Sequence, residues 1–178
     1  LLITHSRETI AQMSCNPAIG GIGKGHLVKE IDAIGGEMGK VADATGIHFR
    51  VLNASRGAAT RGSRCQSDYL EYKKVMRQKL ENQTGLKILE GVAEELLVQG
   101  NQVIGLRTNN GEYIGETVII TAGTFLNGLI HRGQDRVEAG RDSEPSVKKL
   151  SLSLGNQSLQ LGRMKTGTPA RLDSRSID

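Results

Sequence analysis

This sequence has no cysteine framework. Cys15 and Cys65 are far apart and join no Cys-x-x-Cys or Cys/His pairing. That spacing argues against a disulfide scaffold or a zinc site and for a reducing, cytoplasmic setting. The four histidines, His5, His26, His48 and His131, lack metal-ligand spacing. No apolar run approaches the roughly 20 residues that cross a bilayer. The opening LLITH is too short for a signal peptide and has no basic lead. An initiator Met is also missing, and the chain begins inside a strand-like run, so it reads as a stretch of a longer protein. Aromatic residues make up 3% of the chain. None is interleaved with the arginines at 50–64, which weakens a reading of base stacking on single strands.

What is present suits a globular chain with a real core. Of 178 residues, 37% are hydrophobic and 24% charged, with a net charge of +4. The basic balance permits nucleic-acid contact without establishing it. Periodicity predicts a buried strand at 1–4, helices over 22–34 and 37–44 separated by Gly35-Gly36, and a strand over 47–52. Residues 53–64, NASRGAATRGSR, read as a basic loop. A helix over 68–81 follows, with Asp68 and Glu71 in capping-box positions. Short strands are expected at 86–89, 94–98, 102–107 and 112–114, with turn signals at Gly100-Asn101 and Asn110-Gly111, as in an antiparallel meander. The apolar run 118–120 before Thr121-Ala122-Gly123 suggests a strand buried on both faces. Beyond 126 the chain reads mostly as loop, with a helix over 146–154 and a strand over 158–165. The element order suggests a dinucleotide-binding sheet with an inserted meander, its first strand and glycine loop lying upstream.

Four motifs carry candidate chemistry. The segment SCNPAIGGIGKGHLVKE holds Gly20, Gly21, Gly23 and Gly25 around Lys24. It fails the Walker A pattern at Ala18 and Gly25, and it fails G-x-G-x-x-G at His26. It is therefore a substrate or cofactor wall of another kind, or a flexible turn. Within it, glycine amides and Lys24 could stabilise a Cys15 thiolate as a nucleophile; the alternative is a small buried residue. VIITAGTF ends on Gly123, where a missing Cβ lets backbone approach a ligand, or where a strand simply turns. The arginines Arg50, Arg56, Arg61 and Arg64 suit either a phosphate grip or a solvated loop. In GRMKTGTPAR, residues 165–168 could line an anion site or form a turn.

Taken together, the block QMSCNPAIGGIGKGHLVKEIDAIGGEMGK through SRCQSD, then VIITAGTFLNG, GRDSEPS and GRMKTGTPARLDSRSID, resembles the tRNA uridine 5-carboxymethylaminomethyl modification enzymes, the MnmG or GidA flavoproteins. The resemblance implies an α/β, glutathione-reductase-like FAD-binding Rossmann fold lacking its first strand here. Residues 1–130 would be the partial FAD domain, with a meander near 86–115, and 131–178 the start of a second domain on the substrate and NADH side. It implies a cytoplasmic homodimer with no membrane segment, working with the GTPase MnmE. The product would be an aminomethyl-type group on C5 of the tRNA wobble uridine, with NADH as reductant and methylenetetrahydrofolate as carbon donor. Position by position, it places Ala93, Gly123, Thr124 and Ser146 along FAD, and Cys15, Asn16, Gly20 and Gly21 facing the flavin or the base. Cys15 and Lys24 become the catalytic candidates, and Arg56, Arg61 and Arg64 a tRNA contact. Thr4-His5 stands where an acidic ribose ligand is usual. Without the upstream loop this stretch alone is expected neither to hold FAD tightly nor to catalyse. The enzymatic alternative is the related folate- and FAD-dependent tRNA uridine methyltransferase; the non-enzymatic one is a basic RNA-binding module.

Overall fold

A computed structural model describes residues 1–14, 16–167 and 172–177. In chain order the elements are β1 (Leu2–Thr4), β2 (Ala18–Gly20), α1 (Lys24–Ala33), α2 (Met38–Thr45), β3 (Gly46–Leu52), β4 (Gly62–Ser67), α3 (Tyr69–Glu81), β5 (Ile88–Glu90), β6 (Ala93–Gln99), β7 (Gln102–Thr108), β8 (Gly111–Ile114), β9 (Ile130–Arg132), β10 (Asp135–Val137), β11 (Ala139–Arg141), β12 (Glu144–Pro145) and α4 (Lys148–Asn156). The architecture is mixed α/β. Two compact units share it, one made of Leu1–His5 with Leu89–Gly167, the other built on Ser6–Ile88.

In the Ser6–Ile88 unit an antiparallel sheet runs in the order β2-β4-β3. Strand β4 is central, and Cys65 on it stands opposite Ile19 of β2 and Phe49 of β3. That face meets the helices, where Val41, Ala42, Cys65 and Tyr72 form the core with Ile19, Val75 and Met76 packed around them. Cys65 Sγ donates to the Ala42 carbonyl at 3.4 Å, so this thiol works as a small buried packing residue. Helix α3 starts where the capping pattern places it. The Asp68 carboxylate accepts from the N–H groups of Leu70 and Glu71, each at 2.9 Å, satisfying two otherwise orphaned donors. Burial also raises the Tyr72 phenol above its ordinary value.

Glu37 precedes α2 but does not cap it with its side chain. Its carboxylate instead takes Lys40 at 2.9 Å and Lys79 of α3 at 2.7 Å. The two ammonium groups, Lys79 foremost, hold Glu37 below the usual carboxylate value of 4.5.

In the other unit the meander β6-β7-β8 forms as expected, with register Gln99↔Gln102 around Gly100-Asn101 and Thr108↔Gly111 around Asn109-Asn110. Helix α4 packs on β6. Buried Ser153 accepts the Leu96 N–H at 2.9 Å, and Leu150 and Leu154 are buried alongside. The strand expected at 86–89 forms at Ile88–Glu90, where it pairs with β1 and stays outside the meander.

Four expectations need correction. Residues 118–120 form no strand, and Ile119 is 83% exposed; apolarity supplies a surface to bury but no ladder. Residues 158–165 likewise form none. The basic loop ends early, because Gly62–Ser67 becomes β4. Past 126, two small hairpins, β9-β10 and β11-β12, stand where loop is expected.

Two outcomes follow for the full-length protein. Adding a methyl at Gly20 or Gly25 drives a Cβ into the Ser63 main chain, at 2.9 Å from its oxygen for Gly25. Gly20→Ala and Gly25→Ala should each lose about 2–4 kcal/mol in urea unfolding, while Gly57→Ala, with open space around it, stays within about 0.5 kcal/mol. The depressed Glu37 pKa makes its ionised form stabilising above the unfolded value. The melting-temperature gap between wild type and Glu37→Gln should therefore be open at pH 7 and close as pH falls below about 4.5.

Candidate functional site

The glycine loop between β2 and α1 does two different jobs. At Gly20 a Cβ would land on the Ser63 carbonyl oxygen. At Gly25 and Gly62 it would meet β4 and loop backbone at 2.9 and 2.8 Å. These glycines let the chain pack on itself, and Gly21 N–H donates to Ser63 O at 2.8 Å across the contact. Gly21 and Gly23 differ. Their φ values are +109° and +72°, and the space beside each α-carbon is open. Within this loop Gly23 is exposed and leaves main chain open to an approaching ligand; Gly21 is buried, its N–H on Ser63 O and its carbonyl on the Gly25 N–H, and Gly20 packs against Ser63.

Lys24 is exposed at the first turn of α1, which carries no acidic residue and no side-chain cap. Asn16 is exposed with φ +44°, a conformation asparagine tolerates. Cys15 and residues 168–171 lie outside the described residues. Beneath the loop a cleft of about 330 Å³ is lined by Ile19, Val28, Ala42, Phe49, Val51 and Cys65 together with Lys29, Asp43, Arg50 and Arg64. Its lining suits an apolar body that carries a polar or charged group.

In the other unit Gly123 has φ +54° and open space beside it. Thr124 Oγ1 donates to Gly140 O at 2.5 Å. Val147 N–H donates to Phe125 O at 2.8 Å, and Asn127 N–H returns to Val147 O at 3.0 Å. Those bonds bring Gly123 and Thr124 together with half-buried Ser146. Phe125 anchors the junction. His5 meets its ring edge-on at 4.9 Å, the Arg141 guanidinium lies 5.5 Å from its centroid, and Gly140 leaves room for it. Ala93 stands apart at the start of β6, opposite Thr108. Sequence reading did not single out Phe125, Gly140 or Arg141; no periodicity marks them, since their role comes from the bridge between 126 and 147.

The arginines separate into two pairs. Arg61 Nε donates to Arg56 O at 3.2 Å, folding that pair into its loop. Arg64 lies on β4 directly opposite Arg50 of β3 and donates to Gln66 Oε1 at 3.0 Å.

A dinucleotide such as FAD needs bare main chain and a hydroxyl or amide lining. Gly23 in one unit and Gly123 in the other each offer such main chain. Thr124 fits the second only as an acceptor, because its proton is committed to Gly140. Among the described residues no helix is long and apolar enough to cross a membrane.

The family model described as glucose inhibited division protein A matches residues 1–178. Two crystal forms of Aquifex aeolicus GidA superpose with TM-scores of 0.90 at 48% identity over 99% of this chain, which spans 30% and 29% of theirs. A GidA-related protein from Thermus thermophilus shares the fold at TM-score 0.54 and 20% identity, covering 87% of this chain and 56% of that one. The chain belongs to the glucose inhibited division protein A family.

Proposed function

We propose that this chain is part of an FAD-dependent tRNA-modifying enzyme that adds a (carboxymethyl)aminomethyl group at C5 of the wobble uridine. The observation that carries the reading is the family match over residues 1–178. In this reading the enzyme is a cytoplasmic homodimer, the GTPase MnmE is its partner, methylenetetrahydrofolate supplies the carbon and NADH supplies electrons. The bound flavin would supply the redox capacity of the transfer.

The chain's own residues would bind and orient. Gly23 presents unsubstituted main chain, and Asn16, Gly20 and Gly21 belong to the same wall, Gly20 and Gly21 by fixing its position against Ser63. Gly123, Thr124 and Ser146 would run along the dinucleotide with Ala93 at its adenine end, a main-chain contact indifferent to the small side chain. Cys15 is the nucleophile candidate toward the base. Lys24 would favour its thiolate by charge. Arg56, Arg61 and Arg64 would contact tRNA phosphates.

The test uses full-length protein and a strain lacking it. The purified protein should be yellow with flavin absorbance, and tRNA nucleosides from the deletion strain should lack the wobble modification by mass spectrometry. Loss of a T-loop methyl instead would move the assignment to the methyltransferase, and a colourless protein that binds RNA would leave only a binding module. Cys15→Ala should lower modification at least about 100-fold while retaining bound FAD; unchanged modification would remove the nucleophilic role.

A further inference from the structure

The β2-β4-β3 sheet has two faces, and α1 and α2 pack on the one carrying Ile19, Cys65 and Phe49. Alternation puts the next residues on the other face: Ala18 and Gly20 on β2, Arg64 and Gln66 on β4, His48 and Arg50 on β3. The register sets Ala18, Gln66 and His48 in one row and Gly20, Arg64 and Arg50 in the next. Small residues on β2 keep that side of the face low.

Two like charges directly opposite across an antiparallel pair destabilise it. Gln66 takes one hydrogen bond from Arg64, but it is neutral and cancels no charge. Among the described residues the Arg50 side chain makes neither a hydrogen bond nor an ion pair. Two arginines at directly opposed positions, neither in an ion pair with a carboxylate among the described residues, suit an anion from outside. One phosphodiester accepts from both, and guanidinium suits it better than ammonium by its planar, forked donors.

We propose that Arg50 and Arg64 form a clamp for one backbone phosphate of the RNA substrate, laid across the open face of this sheet. The inference rests on the tRNA reading above and relocates its electrostatic centre from the 53–61 loop to the strands. Arg56 and Arg61 already engage each other through Arg61 Nε and the Arg56 carbonyl, so their loop contributes less.

The experiment measures binding of unmodified tRNA transcript to full-length protein across a salt series, for wild type, Arg50→Gln, Arg64→Gln and Arg56→Gln. Wild type should bind with a steep salt dependence. Arg50→Gln and Arg64→Gln should each weaken binding about 5–30-fold and make the log–log salt slope shallower by roughly one, with melting temperature in the absence of RNA unchanged or raised. Arg56→Gln should change the slope less than either. Equal slopes in wild type and Arg50→Gln overturn the clamp and leave the tRNA reading standing. Lost flavin in Arg50→Gln with an unchanged RNA slope also overturns it, because the pair then serves a cofactor phosphate. If wild type binds no tRNA at any salt, the reading fails and the clamp with it.

Discussion

At Ser63 the main chain of β4 does two things at once. Its carbonyl accepts the Gly21 N–H at 2.8 Å, and it fills the volume that side chains at Gly20 and Gly25 would need. A backbone-to-backbone approach of this kind is open only to glycine, and it ties the end of β2, the start of α1 and the middle of the sheet together. Helix α1 has no side-chain cap and no acidic first turn, so its start is set by this contact more than by local capping. The exposed main chain at Gly23 lies between the two glycines that this contact holds in place.

The distinction among the glycines changes how the segment is understood. As sequence, Gly20, Gly21, Gly23 and Gly25 are equivalent letters in one run. In three dimensions two are absorbed by packing, and two keep a positive φ beside open space. Gly123 joins the second kind. A similar sorting applies to the arginines, where strand register, invisible in a string of letters, makes Arg50 the neighbour of Arg64.

Much of the fold was legible where periodicity had a physical cause. Helix α3 was written in Tyr72 and Met76 and in the Asp68 cap, and the meander in its alternating strands and Gly100-Asn101 turn. Strands β2 and β4 were hidden because Gly, Ser, Arg and Gln carry no strand preference; their pairing comes from Ile19 and Cys65 reaching the core and from the contact at Ser63. The 118–120 run misled in the opposite direction, since apolar residues announce burial but do not name a partner. For the site, the candidate segments were visible as family motifs. The junction that holds Thr124 near Ser146 was not, because it depends on a Phe125 ring fitting over Gly140.

Strand β3 lies at the rim of its sheet. Its Phe49 and Val51 remain 57% and 52% exposed, with Ile47 beside them at 68%. A free rim with oily side chains is a template for further strand pairing. Proteolytic nicking that stripped this sheet of its surroundings would hand the cell a sticky seed for clumping, so the protein's turnover is safest when degradation, once begun, runs through this stretch without pausing.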